Sequence, residues 1–520
     1  EMKEYKLASF CIYQVAEMGE VSFKTSPVQQ ALVQSFCQNH NEAIACLQEL
    51  IANQPTPSIF VLLGKIQMKA KKTKDAVESF REALKILNSS AKKLPNTIEA
   101  AEIYYLMALC YMDQVSLLQT YKNAIDDLTK TIDLDKICIL AYYNRAICYH
   151  QIKDFKKALK DYGILLLLES SKEIVLAVLI NRALLYVELE DYSNALEDFK
   201  EASLSDPRNS EIYQAIGICC HRLEQFEEAV NSFTQGLKLD PFFLDAYVAR
   251  GNSYMEYGHE TGNTKAQKDF LKAMHLNPKC VKARICLGYN LQAFGKFQKA
   301  WNQFTVAIDI DPKCHVAYDG RAVVCLQMGD TFAAFQDINA ALKLTTSAQL
   351  LTNRGVINQF MGHLNCSMKD YQQAISINPG YALAYFNAAN IYFHHRQFAQ
   401  ASSYYSKALQ LDPRNESAVL NRAITNTLLQ KIEEAKEDFE KAICLCPFSA
   451  AVYFNRANLY RTLKQYELAE KDISTALSIQ PNDALMYKLR ADVRGKMGFS
   501  EEAIADYKQA ISIQEMIDAM

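Results

Sequence analysis

Apolar residues recur along this chain at helical spacing, in segments that come in pairs joined by short turns. Prolines punctuate the pairs. Eight of the twelve stand at 207, 241, 278, 312, 379, 413, 447 and 481, with gaps of 34, 37, 34, 67, 34, 34 and 34. The gap of 67 spans two repeats, with Thr346 in place of one proline. Six of these prolines follow Asp or Asn, a local stop that ends one helix before the next begins. Gly258, Gly295, Gly329, Gly362 and Gly498 share one repeat position, where a helix end needs the left-handed conformation that glycine tolerates. The pattern predicts a repeated hairpin of two helices, A and B.

Numbering each unit so that its closing proline is position 32 aligns thirteen clear units. Position 8 is always Gly or Ala, as at Gly64, Ala146, Gly217, Gly288, Gly355 and Ala457. Position 20 is Ala in all but one, where it is Ser367, and position 24 is aromatic or large aliphatic, as at Phe80, Phe199, Phe304, Tyr405 and Phe439. Small residues let two helices approach closely, and a large one fills the space beside the contact. Position 7 is Arg in eight units, and the same eight carry Asp at position 23: Arg145 with Asp161, Arg182 with Asp198, Arg250 with Asp269, Arg321 with Asp337, Arg354 with Asp370, Arg422 with Asp438, Arg456 with Asp472 and Arg490 with Asp506. Asp127 alone has no arginine, facing Met107. Covariation among repeats points to contact, so these residues are expected to be struts between helices A and B rather than ligand anchors.

A 34-residue hairpin with small residues at 8, Ala at 20, an aromatic at 24 and Pro at 32 resembles the tetratricopeptide repeat. The resemblance implies an all-α, right-handed superhelical α-solenoid of about 13 to 14 helix-turn-helix repeats, each burying its apolar face against its neighbours. Units start near 57, 101, 139, 176, 210, 244, 281, 315, 348, 382, 416, 450 and 484, in a continuous array over 57–520 with no dividing linker. Residues 1–56 are expected to form an irregular helical segment holding a degenerate repeat over 24–56, where Ala43 and Pro55 fit but helix A does not. Insertions after Asn88, near Gln114, after Leu168 and around Glu260 are expected as polar loops or helix extensions.

Position 6 lies about 160° around helix A from position 8 and faces the groove. Asparagine occupies it at Asn144 and Asn181, then in the unbroken run Asn353, Asn387, Asn421 and Asn455. An asparagine amide matches a peptide backbone whatever its sequence. Helices packed about 8 to 10 Å apart would meet an extended chain, which rises about 3.3 Å per residue, at every third residue or so. The run resembles the asparagine ladder of the tetratricopeptide domain in O-linked N-acetylglucosamine transferase, with capping or solvation of the helix surface as the alternative. Phe386, Asn390, Phe454 and Asn458 complete an amide-rich, aromatic and weakly charged groove. The carboxylate clamp of chaperone-binding relatives is not expected: only Lys282 fits its pattern, and Cys286 follows where arginine is required.

Composition adds exclusions more than functions. A formal charge of -3 over 520 residues offers no bulk attraction for nucleic acid, and no apolar run is long enough to span a bilayer. The fifteen cysteines lack zinc-like spacing and suit buried thiols in a reducing compartment, so neither metal nor cofactor is expected. No nucleotide loop, metalloprotease motif or nucleophile elbow occurs, so no catalytic residue is assigned. His394 and His395 read as a solvated turn, and Lys65, Lys69, Lys71, Lys72 and Lys74 as a solvated basic surface.

The resulting expectation is a cytoplasmic, non-enzymatic scaffold that binds a protein or extended peptide in its groove; family resemblance adds a ciliary or trafficking setting. The alternatives are a recognition or regulatory part of a larger enzyme, and an RNA-binding helical repeat. The chain opens on Glu1, which suggests an excerpt or processed form, and ends after a B helix without a polar cap over Ile504 and Ile511. That end is expected to continue, or to dock onto a partner or a second copy.

Overall fold

The computed structural model describes residues 27–518 apart from 37, 90–96, 115–117, 169–170 and 259. Among the described residues there are 28 α-helices and no strand. The chain divides into two compact units, Glu1–Gly262 and Asn263–Met520. In the first, six A/B hairpins precede the A helix Leu244–Glu256. In the second, the B helix Glu260–Leu276 is followed by seven hairpins, from Val281–Ala293 with Phe297–Ile310 to Ala484–Met497 with Ser500–Asp518.

In every hairpin whose turn lies among the described residues, the chain turns on one left-handed residue at position 15. Glycine takes it at Gly258, Gly295, Gly329, Gly362 and Gly498, but so do eight other residues, among them Lys71, Lys153, Glu190 and Gln430, with φ near 60°. The left-handed state costs an L-residue roughly 1 to 2 kcal/mol, so packing of the two helices imposes the turn where the residue does not favour it. The faint first repeat has this turn too, at Gln38. Its A helix is Pro27–Phe36, shorter than the others, and Ala31 at position 8 is fully buried. Residues 1–26 lie outside the described residues, as do the inserted positions at 90–96, 115–117, 169–170 and 259. Beside those positions the helices lengthen: Thr73–Ser89, Thr97–Asp113, Leu118–Leu134 and Lys172–Glu188 each run 17 residues.

The core is one contact repeated. At Gly64 an added methyl would lie 2.5 Å from the Phe80 ring, and at Gly217 and Gly288 it would lie 2.6 and 2.7 Å from Phe233 and Phe304. Tyr371 packs on Gly355 in the same way. The ring at position 24 of helix B thus lies directly on the backbone of helix A at position 8. Phe304 does this twice, because Gly320, at position 6 of the next repeat, also meets its ring at 2.5 Å.

Within each unit the hairpins stack in chain order, each hairpin's B helix packing on the A helix of the hairpin that follows it. Contacts that skip a helix run between A helices, such as Ser210–Arg222 with Leu244–Glu256 and Val281–Ala293 with His315–Gln327. Among the described residues no B helix approaches the next B helix comparably. The A helices therefore line the inner face of each unit, and the B helices its outer face.

Gly217→Ala should destabilise the chain by about 1 to 3 kcal/mol, read by urea denaturation, because the added methyl cannot be accommodated without moving Phe233. Combining it with Phe233→Leu should recover more stability than Phe233→Leu loses alone. A neutral Gly217→Ala would contradict the ring-on-backbone contact.

Candidate peptide-binding groove

Two side-chain layers build the A-helix face. The deeper one holds the arginines of position 7. Arg145 donates from Nε to Asp161 Oδ2 at 2.7 Å and from Nη2 to Oδ1 at 2.8 Å, a planar two-point match. Six further pairs form in the same way: Arg182–Asp198, Arg321–Asp337, Arg354–Asp370, Arg422–Asp438, Arg456–Asp472 and Arg490–Asp506. The eighth, Arg250 with Asp269, falls on residues of different units. The aspartates of the seven pairs keep only 3 to 11% of their side-chain surface exposed.

The third donor of these guanidinium groups reaches backwards. Nη1 of Arg145, Arg250, Arg321, Arg354 and Arg422 donates to Thr129, Thr234, Thr305, Asn339 and Ser406 respectively, at 3.0 to 3.2 Å. Each acceptor stands at position 25 of the preceding repeat. The arginine is therefore a clasp between repeats as well as a strut within one. A signal existed in the sequence: where the next repeat lacks the arginine, position 25 holds Arg81, Lys200, Leu271 or Gln372. Asp127, without an arginine opposite, instead pairs with Lys130 at 3.1 Å on its own helix.

The shallower layer holds the asparagines of position 6, and most have partners in the chain. Asn144 and Asn181 donate to the hydroxyls of Tyr105 and Tyr143, one repeat earlier, at 3.0 and 2.8 Å. Asn353 donates to Asp319 Oδ1 at 2.7 Å, and Asn421 to Asn390 Oδ1 at 3.2 Å. Asn455 reaches only the Ala451 carbonyl of its own helix. Asn387, half-buried between Asn353 and Asn421, makes no hydrogen bond among the described residues. Among the other groove residues, Asn390 also accepts from the Tyr405 hydroxyl at 2.6 Å, and Asn458 donates to the Phe454 carbonyl. Phe386 and Phe454 are half-buried and pack partly into the core, which leaves them less groove surface than their spacing suggests.

One groove residue escapes the sequence reading. Asp319, at position 5, is 5% exposed yet its hydrogen-bond partners are the amides of Asn353 and Gln349. Its burial follows from Gly320, whose missing side chain draws helix His315–Gln327 against Phe304. Desolvation pushes its carboxyl above the usual aspartate value, against the hydrogen bond from Asn353 and the charge of His315. The detectable signal was that no other unit places an acidic residue at position 5.

Elsewhere the surface is less organised. An apolar hollow of about 610 Å³ opens on the inner face of the first unit, among Leu32, Phe36, Leu62, Ile66, Met68 and Leu106. Lys65 pairs with Glu102, Lys72 with Asn41, and His394 and His395 are exposed at a hairpin turn. Ile504 and Ile511 are 53% and 58% exposed. Among the described residues no helix is long and apolar enough to cross a membrane, no His, Cys, Asp and Glu side chains group to hold a metal ion, and thirteen cysteines are free thiols.

Stacked hairpins with a small residue at 8, a ring at 24 and an inward-facing A layer define a helical-repeat protein. The chain belongs to the tetratricopeptide repeat family, whose models match residues 38–91, 180–242, 348–381, 382–415 and 450–483. Human tetratricopeptide repeat protein 6 is 59% identical over 406 residues, which are 78% of this chain and 78% of that protein. The human mitochondrial import receptor subunit TOM70 is 23% identical over 331 residues, 61% of this chain and 50% of that one. Among solved structures, the Cut9–Hcn1 hetero-tetramer of the APC/C aligns with a TM-score of 0.45 at 16% identity, covering 94% of this chain and 93% of that one.

Two outcomes follow from this geometry. Arg354→Ala should cost about 3 to 5 kcal/mol by denaturant titration, since it leaves the buried Asp370 carboxylate without a cation, Asp370→Ala should cost less because Arg354 is 26% exposed and keeps Asn339, and the double variant should cost well below the sum. Additive losses would show that the pair does not interact. For Asp319 the sign runs the other way: its raised carboxyl keeps its proton longer in the folded chain than in the unfolded one. Stability is therefore held below the ordinary aspartate range and lost as pH rises through it to the raised folded value. Asp319→Asn should accordingly melt above the wild type at neutral pH, and the gap should close on acidification; a lower melting temperature at neutral pH would refute the assignment.

Proposed function

We propose that this chain is a non-enzymatic protein-interaction scaffold that holds an extended segment of a partner against the A-helix face of its second unit. The observation that carries this reading is Asn387: a half-buried amide with no hydrogen-bond partner among the described residues, within a run that places asparagine at the same position of four successive A helices. Its amide reaches solvent, and a ligand backbone can replace that water by donating N–H to Oδ1 and accepting from Nδ2. Neighbouring rungs at Asn353, Asn421 and Asn455 each keep amide valences beyond the one bond they make. The recognition is of backbone, so it sets orientation and register more than sequence.

Asn144 and Asn181 take a different role in this reading, because their amides are tied to tyrosine hydroxyls and join consecutive A helices. Family membership favours a protein partner, and the weak net charge disfavours a polyanion.

The rungs to remove in a test are those whose loss strips no neighbour. Asn353→Ala would leave Asp319 without its shortest donor, whereas Asn387 and Asn455 hold no other side chain. The double variant Asn387→Ala, Asn455→Ala should lose capture of peptides selected on the wild type by at least about tenfold while its stability stays within about 0.5 kcal/mol. Undiminished capture would defeat the ladder.

A further inference from the structure

The buried aspartates of this chain follow a rule that Asp319 breaks. Asp161, Asp198, Asp337, Asp370, Asp438, Asp472 and Asp506 each hold an arginine, and Asp127 holds Lys130. Asp319 is buried as deeply, and its hydrogen bonds come only from neutral amides: Asn353 Nδ2 at 2.7 Å and Gln349 Nε2 at 3.4 Å. Taking an ionised carboxylate out of water without a cation is costly, and such a cost persists where something supplies the charge. Both amide donors stand at groove positions 6 and 2 of the next A helix, so the carboxylate belongs to the inner face.

We propose that Asp319 is the specificity-determining site of the groove and takes a cationic side chain, arginine or lysine, of the extended segment. The inference rests on the groove reading above. Gln349 is the movable side of the site: it is exposed, its bond to Asp319 is long, and a guanidinium or ammonium group can take its place. Asn353 stays and holds the carboxylate in position. Position 6 is neutral in four successive repeats, at Cys286, Gly320, Asn353 and Asn387, and the cationic form of His315, on the same helix as Asp319, is the charge of this chain that acts on the carboxylate. Backbone amides then carry affinity along the ladder, and one carboxylate sets the register.

A random-peptide display library panned on the full chain, as wild type and as Asp319→Asn, tests this. Asparagine can keep the bond from Asn353 through its single oxygen, while it removes the charge and replaces the acceptor of Gln349 with an NH2 group, and thermal melting confirms that the variant is folded. The expected result is an arginine or lysine enriched at one position of the wild-type pool, lost from the Asp319→Asn pool, with peptides still captured by both. A resynthesised wild-type binder should bind Asp319→Asn about tenfold or more weakly, and replacing its basic residue with norleucine should erase that difference. Peptides captured without a basic preference, or with the same preference on both proteins, would overturn the Asp319 site and leave the groove standing. No capture by the wild type would overturn both.

Discussion

The structure depends on a ring lying flat against a helix backbone. Position 24 of helix B can reach helix A only because position 8 carries at most a methyl group, and that approach sets the spacing of the hairpins that pair Gly64 with Phe80, Gly217 with Phe233, Gly288 with Phe304 and Gly355 with Tyr371. Once the spacing is set, the turn between the helices must be left-handed, even where it falls on lysine, glutamate or glutamine. The same contact explains the burial of Asp319, since Gly320 extends it to the next repeat and draws one A helix inward with its carboxylate.

Charge is handled in two layers with different consequences. The arginines of position 7 satisfy a buried aspartate within their own repeat and a hydroxyl or amide in the preceding one, so a desolvated ion pair also transmits register from hairpin to hairpin. A buried pair of this kind contributes geometry more than net stability, since its desolvation offsets much of its attraction. The layer above is neutral at position 6 and carries amides in six units, which are hydrated at little cost. Asp319 belongs to neither pattern, and its lack of a cation is a property of the groove rather than of the hairpin.

Much of this was legible in the chain. The proline period, the Gly or Ala at 8 and the co-occurrence of Arg at 7 with Asp at 23 are comparisons among repeats, and each repeat is a fresh instance of the same packing problem. Other features were hidden. The acceptors at position 25 serve the following repeat, so a search within one unit does not meet them. The A helix Pro27–Phe36 was obscured by its short length, although Ala31 stands where a small residue is required. Phe386 and Phe454 were read as groove residues from their angle around the helix, but aromatic side chains are long enough to fold back into the core.

By itself, then, the sequence determined the hairpin, its period and the partners within it, because those depend on residues at fixed separations along one chain. Only the tertiary structure decided which amides are already spent. Asn144, Asn181, Asn353 and Asn421 find acceptors on a neighbouring A helix, 31 to 39 residues away along the chain, whereas Asn387 finds none among the described residues. Identical residues at one repeat position thus differ in what they bond, from a tyrosine hydroxyl at Asn144 and Asn181 to a carboxylate at Asn353 and an amide at Asn421. The physical reason is that hydrogen-bond satisfaction depends on what the next helix presents within about 3 Å, and no periodic pattern records that distance.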